Sequence, residues 1–304
     1  MKAIVCKKTG SPKVLNLINV EKPIPNANEV LIKVYASTVT RGDVNLRKIP
    51  RFVLYIVGLV IGFKPMDITG VEFAGIIEET GNSVINLKKG DKVFGTTTGL
   101  KYGANAEFVS VPEKSKMGVI KKMPDGISFN EAAAIPVGAM TALHLLKKVS
   151  EYKNKEVLIY GASGSVGSYA VQIAKYFEAN VTGICSTKNI SMVNSIGADK
   201  VIDYTKEDFT NGNIKYDVIF DAVGKISKSK CKNILKENGS YLSVKNMTKE
   251  KAEYMELIAE MINEKKLKPI IDKIYSLEEI REAHSYVEQG HKRGNVVVQI
   301  INEK

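Results

Sequence analysis

The chain has 304 residues, 44% of them apolar and 25% charged, with a formal charge of +11. That length suits about two domains, and the composition is that of a soluble globular protein. No apolar run reaches the ~20 residues a bilayer-spanning helix needs, and the N-terminal MKAIVCKKTG is too charged for a secretory leader.

The lysines that make the chain basic are dispersed, and no stripe of alternating basic and aromatic residues accompanies them. They are read as a solvated surface, with no nucleic acid or membrane partner expected. Cys6, Cys185 and Cys231 stand far apart and are expected to be reduced thiols in a cytoplasmic setting. With the scattered His144, His284 and His291, they form no spacing of metal ligands.

In chain order, residues 1 to about 122 read as β-rich. KAIVCKK, EVLIKVYAS, FAGIIEET and ANAEFVSVP are β-branched runs punctuated by Pro, Gly and Asn. Residues 52–63, FVLYIVGLVIGF, are expected to form a buried helix or a lid over a site. The stretch ISFNEAAAIPVGAMTALHLLKKV is helical in composition, with Pro136 as a break. Strands and helices then alternate. The predicted strands are EVLIYG, ANVTGIC, KVIDY, YDVIFDAV and GSYLSV, with helix or turn signals between them, as in SKSKCKNILKENG. Continuous apolar strands alternating with helices predict an α/β domain with a parallel sheet. Two further helices, KEKAEYMELIAEMINEKK and SLEEIREAHSYVEQG, and a strand, NVVVQII, complete the chain.

The most informative stretch is LIYGASGSVGSYAVQIAK. Val166, Ala170, Ile173, Ala174 and Phe177 recur at helical spacing, so the small residues lie where a strand turns into a helix N-terminus. Unpaired N–H groups and the helix dipole make such a point a site for a pyrophosphate. Gly164 permits close approach of the anion and Gly167 close packing of helix on sheet, in the pattern Ala-x-Gly-x-x-Gly. Ala162 serves at the first position if φ there is negative, since only a positive φ demands glycine. At the end of the next strand a carboxylate would select the ribose 2′-hydroxyl of NAD. Here Cys185 is followed by Ser186, Thr187, Lys188 and Asn189, whose hydroxyls and ammonium suit the 2′-phosphate of NADP(H). Cys185 itself reads as a small buried residue.

Together GVEFAG, KKGDKVFG, GASGSVG, SIGADKVIDY and the DAVG after the fourth strand resemble the medium-chain dehydrogenase/reductase superfamily, in its zinc-free quinone oxidoreductase branch. The resemblance runs over nearly the whole chain. It implies a GroES-like, β-rich catalytic domain at 1–122, a Rossmann domain binding NADP(H) at 123–266, a return to the catalytic domain at 267–304, and an active site in the cleft between the two. Zinc-dependent relatives have Gly-His-Glu where this chain has Gly70-Val71-Glu72, and a cysteine where this chain reads TVTRGD. Without Lewis-acid zinc, a quinone or conjugated C=C is the easier hydride acceptor, because it is already electron-poor. The implied activity is NADPH-dependent reduction of quinones or α,β-unsaturated carbonyls, on a small apolar electrophile. The alternatives are an enoyl-thioester reductase and a weakly catalytic or non-catalytic NADPH-binding protein.

Carried over by position, the resemblance implies that Ala162, Ser163, Gly164, Ser165, Val166 and Gly167 hold the pyrophosphate. Ser186, Lys188 and Tyr204 would meet the 2′-phosphate and adenosine, Thr141 the nicotinamide ribose, and Val223 and Gly224 the cofactor cleft. Asp43 stands in the segment that approaches substrate. Many relatives have a tyrosine two residues further on; here that residue is Asn45, and Tyr102 of GLKYGANAE is the substitute candidate for a proton donor. The helix near Thr248 follows GSYLSV almost directly, without the family's sixth strand. A five-stranded sheet is therefore expected, without the family's usual dimer.

Overall fold

Short β-branched runs interrupted by turn residues build the N-terminal strands. The computed structural model describes residues 1–61, 67–100 and 103–302; Tyr102 lies outside them. β1 (Lys2–Val5) pairs antiparallel with β2 (Asn16–Asn19). β3 (Glu29–Thr38) is the longest strand, buried on both sides along most of its length, and pairs antiparallel with β4 (Glu72–Thr80). β5 (Lys92–Thr96), β6 (Phe108–Pro112) and β7 (Ile120–Lys122) extend this sheet. Val30, Ile32, Val34, Phe73, Ile77 and Val109 form its core.

Between β3 and β4 the chain turns helical twice. α1 (Arg41–Lys48) is started by a reciprocal cap: Thr40 Oγ1 accepts from the Asp43 N–H while Asp43 accepts from the Thr40 N–H. α2 (Arg51–Ile61) is the helix expected at 52–63 over its described length, but it is not buried. Gly58 is enclosed and Leu54 half-buried, whereas Phe52, Tyr55, Ile56, Leu59 and Val60 are exposed. Apolar residues run all round this helix, and among the described residues only one side meets protein. The expectation of a buried helix is corrected accordingly.

α3 (Phe129–Ala133) begins with the same reciprocal cap, between Ser128 and Glu131, and α4 (Pro136–Leu146) starts on its proline, where a missing N–H costs no helical bond. β8 (Glu156–Tyr160), α5 (Ser165–Tyr176), β9 (Asn180–Cys185), α6 (Ile190–Ser195), β10 (Lys200–Asp203), β11 (Tyr216–Asp221) and β12 (Leu235–Ser243) follow. The five strands form one parallel sheet in the order β10-β9-β8-β11-β12. The order reverses between β8 and β11, so the crevice at their C-terminal ends is where such sheets bind ligands. The segment 227–239 forms turns and then the start of β12, which begins before GSYLSV. A register shift between Tyr216 and Val218 absorbs the difference. β12 ends the sheet, with Lys236, Glu237 and Asn238 exposed.

α7 (Ala252–Asn263) leads to β13 (Ile271–Ser276), α8 (Ile280–Glu288) and β14 (Asn295–Gln299). β13 runs parallel to β14, and β14 runs antiparallel to β3, with Val297 opposite Thr38. The chain thus divides into two units, 1–137 with 251–256 and 271–304, and 138–250 with 257–270. No helix among the described residues is long and apolar enough to cross a membrane.

Candidate active site

In the second unit the loop after β8 has the geometry its residues require. Gly161 takes the positive φ, at +80°, so Ala162 needs none, and alanine stands where a glycine triplet would begin. A Cβ on Gly167 would lie 2.1 Å from the Gly161 carbonyl oxygen, so helix and strand approach only because this residue has no side chain. Gly164, the N-cap of α5, differs: a Cβ there would meet one atom, at 3.5 Å, and otherwise open space. The fold itself does not require that glycine. A bare backbone beside a helix N-terminus, whose first N–H groups lack intrahelical acceptors, fits a pyrophosphate.

The neighbouring elements converge on this loop. Asn189 Nδ2 donates to Ser163 Oγ over 3.0 Å and to Ser186 Oγ over 3.3 Å. Lys188 is exposed beside them. A Cβ on Gly138 of α4 would lie 2.6 Å from Ser165 Oγ, which puts Thr141 one helical turn from the start of α5. After β11, buried Asp221 accepts from the N–H of Val223 over 3.1 Å and of Gly224 over 2.8 Å. That turn presses Val223 against Gly161, where a Cβ would come within 2.2 Å of the valine methyl. Tyr204, half-exposed, follows β10 with its N–H donating to the Cys185 carbonyl over 3.1 Å, and lines a polar hollow with Tyr160 and Lys230.

Three residues here were not among the sequence candidates. Asn189 and Asp221 position their neighbours. Asp203 closes β10 opposite Cys185 and accepts hydrogen bonds from Thr187 and Thr205, which hold its carboxyl below the usual range. Its two oxygens are taken up by these neighbours, Oδ2 by the Thr187 hydroxyl and Oδ1 by the Thr205 hydroxyl and N–H. Cys185 is buried, and burial pushes its thiol up to about 11.

The first unit contains a cavity of about 230 Å³ with a mainly apolar wall. Leu46, Leu54, Ile68, Val71, Leu100 and Met117 contribute to it, with Asp43 as its only carboxyl-bearing residue among those described. Burial raises the Asp43 pKa, against hydrogen bonds from Thr40. Glu72, beside Val71, is occupied structurally: it accepts from the Val137 N–H over 2.7 Å and from the Thr38 hydroxyl. Among the described residues the wall offers no histidine, and Cys6 donates its thiol to the Lys8 carbonyl at 3.3 Å, with burial raising its pKa. This donor set does not fit zinc, and no group of three possible ligands occurs among the described residues.

Lys8, Arg47 and Arg51 also line the cavity; Arg47 is buried, with Nε donating to the Gly10 carbonyl over 3.0 Å and Nη2 paired to Glu288 at 2.7 Å. Close by, His284 is fully enclosed with neither ring nitrogen hydrogen-bonded among the described residues. Burial, helped by the Arg47 charge, pushes its pKa down to about 3.

Comparison with known proteins agrees with this fold. Residues 26–125 match the alcohol dehydrogenase GroES-like domain, and 196–252 and 244–298 match the zinc-binding dehydrogenase domain. The 2-methylene-furan-3-one reductase of Solanum lycopersicum is 32% identical, over 99% of this chain and 79% of its own length. The chloroplast envelope quinone oxidoreductase homolog of Arabidopsis thaliana is 31% identical, over 95% of each chain. The solved quinone oxidoreductase from Coxiella burnetii superposes with a TM-score of 0.83 at 27% identity, over 99% of both chains. With these relatives and this pair of domains, the chain belongs to the medium-chain dehydrogenase/reductase superfamily, in its quinone oxidoreductase branch.

Proposed function

We propose that this protein is a zinc-independent, NADPH-dependent oxidoreductase that reduces quinones or α,β-unsaturated carbonyls by hydride transfer, working in the cytoplasm. The observation that carries the reading is the cavity of the first unit, apolar and built without a zinc donor set, with Val71 on its wall. At about 230 Å³ it is smaller than the ~300 Å³ lower bound for drug-sized ligands, which favours a small electrophile. Relatives named for quinone and furanone reduction support that substrate class. Three free, buried cysteines support a reducing compartment.

When bound, NADPH supplies the hydride. The loop 162–167 holds the pyrophosphate on the N-terminal N–H groups of α5. Ser186 and Lys188 hold the 2′-phosphate, Tyr204 the adenosine, and Thr141 the nicotinamide ribose. Val223 and Gly224 line the cofactor's path. The apolar wall excludes water from the substrate. Asp43, whose buried carboxyl keeps its proton to higher pH than an exposed aspartate, and Tyr102 are the candidates to pass the proton that balances the hydride.

Titration of the purified protein with NADPH and NADH, followed by nicotinamide fluorescence, is the first test. Tight NADPH and weak NADH binding, then turnover of a quinone or enone that a chelator does not reduce, is the expected outcome. Binding of neither nucleotide overturns the reading.

A further inference from the structure

The exposed face of α2 is the largest departure from the burial expected of a soluble protein. Phe52, Tyr55, Ile56, Leu59 and Val60 recur at i, i+3, i+4, i+7 and i+8, which puts them on one stripe. Leu59 is 86% exposed, Val60 84% and Phe52 66%. Single exposed apolar residues need no explanation, but a continuous stripe marks a surface that something covers.

The charge around the stripe indicates what covers it. Between Val44 and Ile61 there is no Asp or Glu, and Arg47, Lys48 and Arg51 precede the stripe. The Arg51 guanidinium lies 5.8 Å from the Tyr55 ring centre, at the foot of the stripe. Residues 6–9 are tied to the same end of the helix: Arg51 donates to the Cys6 carbonyl over 2.8 Å, and Thr9 to the Ile49 carbonyl over 3.0 Å. This brings exposed Lys7 and Lys8 beside it, neither in an ion pair among the described residues. Asp67 and Glu288 offset only part of this charge, through Arg51 and the Arg47–Lys48 pair. A second copy pairing through the same helix would find no acidic residue on it to meet the basic collar.

We infer that α2 docks the protein onto an anionic lipid surface. The stripe enters the boundary between headgroups and acyl chains, and the exposed Lys7 and Lys8 meet the headgroups. Over its described length the helix is too short to span, and with one apolar side already against protein it is the other that is left for the interface. This surface mode goes beyond the reductase reading and does not rest on it.

The test is co-sedimentation of the full chain with vesicles of phosphatidylcholine alone and of phosphatidylcholine mixed with phosphatidylglycerol, at low and physiological salt. The wild type is expected to pellet with the anionic vesicles and to be released as salt rises. Leu59→Glu, at a position exposed enough to leave the thermal midpoint unchanged, should weaken partitioning at least tenfold, and Lys7→Glu should weaken it less. No binding to anionic vesicles at low salt overturns the inference. So does unchanged binding by Leu59→Glu, which would mean adsorption by net charge alone. A wild-type dimer that Leu59→Glu dissolves also overturns it, because a second copy would then cover the stripe.

Discussion

Asn189 Nδ2 lies 3.0 Å from Ser163 Oγ, so one side-chain amide joins the loop after β8 to the segment after β9. The same nitrogen reaches Ser186, so Asn189 fixes the spacing between the loop and the residues proposed to meet the 2′-phosphate. Asn189→Ala should leave the fold intact and weaken NADPH about tenfold, the equivalent of about 1.4 kcal/mol for two lost positioning bonds. Fluorescence titration reads the loss. Unchanged affinity would remove Asn189 from the site.

Gly164 and Gly167 should separate binding from folding. Gly164→Ala adds a methyl to open space and is expected to keep the thermal midpoint within a few degrees while abolishing measurable nucleotide binding. Gly167→Ala forces a methyl against a backbone oxygen 2.1 Å away and should destabilise by about 3 kcal/mol or more. Thermal unfolding with and without nucleotide distinguishes the two.

Lys188 should decide between the two nicotinamide cofactors. Lys188→Ala removes an exposed cation that no ion pair among the described residues engages, so stability should hold. NADPH affinity should fall about tenfold, and NADH affinity should change less than twofold. Equal losses for both would place Lys188 away from the 2′-phosphate.

His284 gives a pH prediction with a definite sign. Its folded pKa of about 3 lies below the ordinary 6.5, so the native state keeps it neutral while the unfolded chain takes up a proton below pH 6.5. Stability is therefore full above pH 6.5 and lost as pH falls toward 3, with a slope near 1.4 kcal/mol per pH unit from this residue. His284→Met should be as stable as wild type or more so at pH 7, because it removes two enclosed unpaired nitrogens, and should flatten the acid limb by about one proton. Denaturant unfolding between pH 4 and 8 measures both.

Asp43 has two parts to play, and Asp43→Asn tests them separately. An amide oxygen still accepts from the Thr40 N–H, so α1 should remain capped and the loss of stability should stay within about 1 kcal/mol. If Asp43 passes the proton, kcat should fall at least tenfold and lose its dependence on pH, with KM nearly unchanged. A fall in stability without a change in the pH profile would leave Asp43 as a cap alone.

Local chemistry explains which features could be read from the chain. The strand–loop–helix at 158–175 was legible because turn, helix start and glycine spacing all lie within one stretch. Ala162 was legible because the requirement on φ is a property of single residues. The bond from Asn189 to Ser163 spans 26 residues and exists only because β8 and β9 are neighbours. Asp203 reaches Thr187 through the register of β10 on β9, which no local pattern encodes. In α2 the sequence period shows a helix, but burial requires a partner, and residues apolar on every side do not say which side finds one. The start of β12 before GSYLSV depends on its pairing with β11 through an irregular register, which a charged Lys-Glu-Asn-Gly run conceals.

That last strand also governs how the molecule behaves in a crowd. A parallel sheet ending in a smooth apolar ribbon would invite a stranger's backbone to continue it. Here the final ribbon carries Lys236, Glu237 and Asn238 outward and runs irregularly against its neighbour, so an incoming chain finds charge to desolvate and no even ladder to copy. Adding a strand along residues 236–238 would cost the desolvation of two charges, which disfavours strand exchange over that part of the edge.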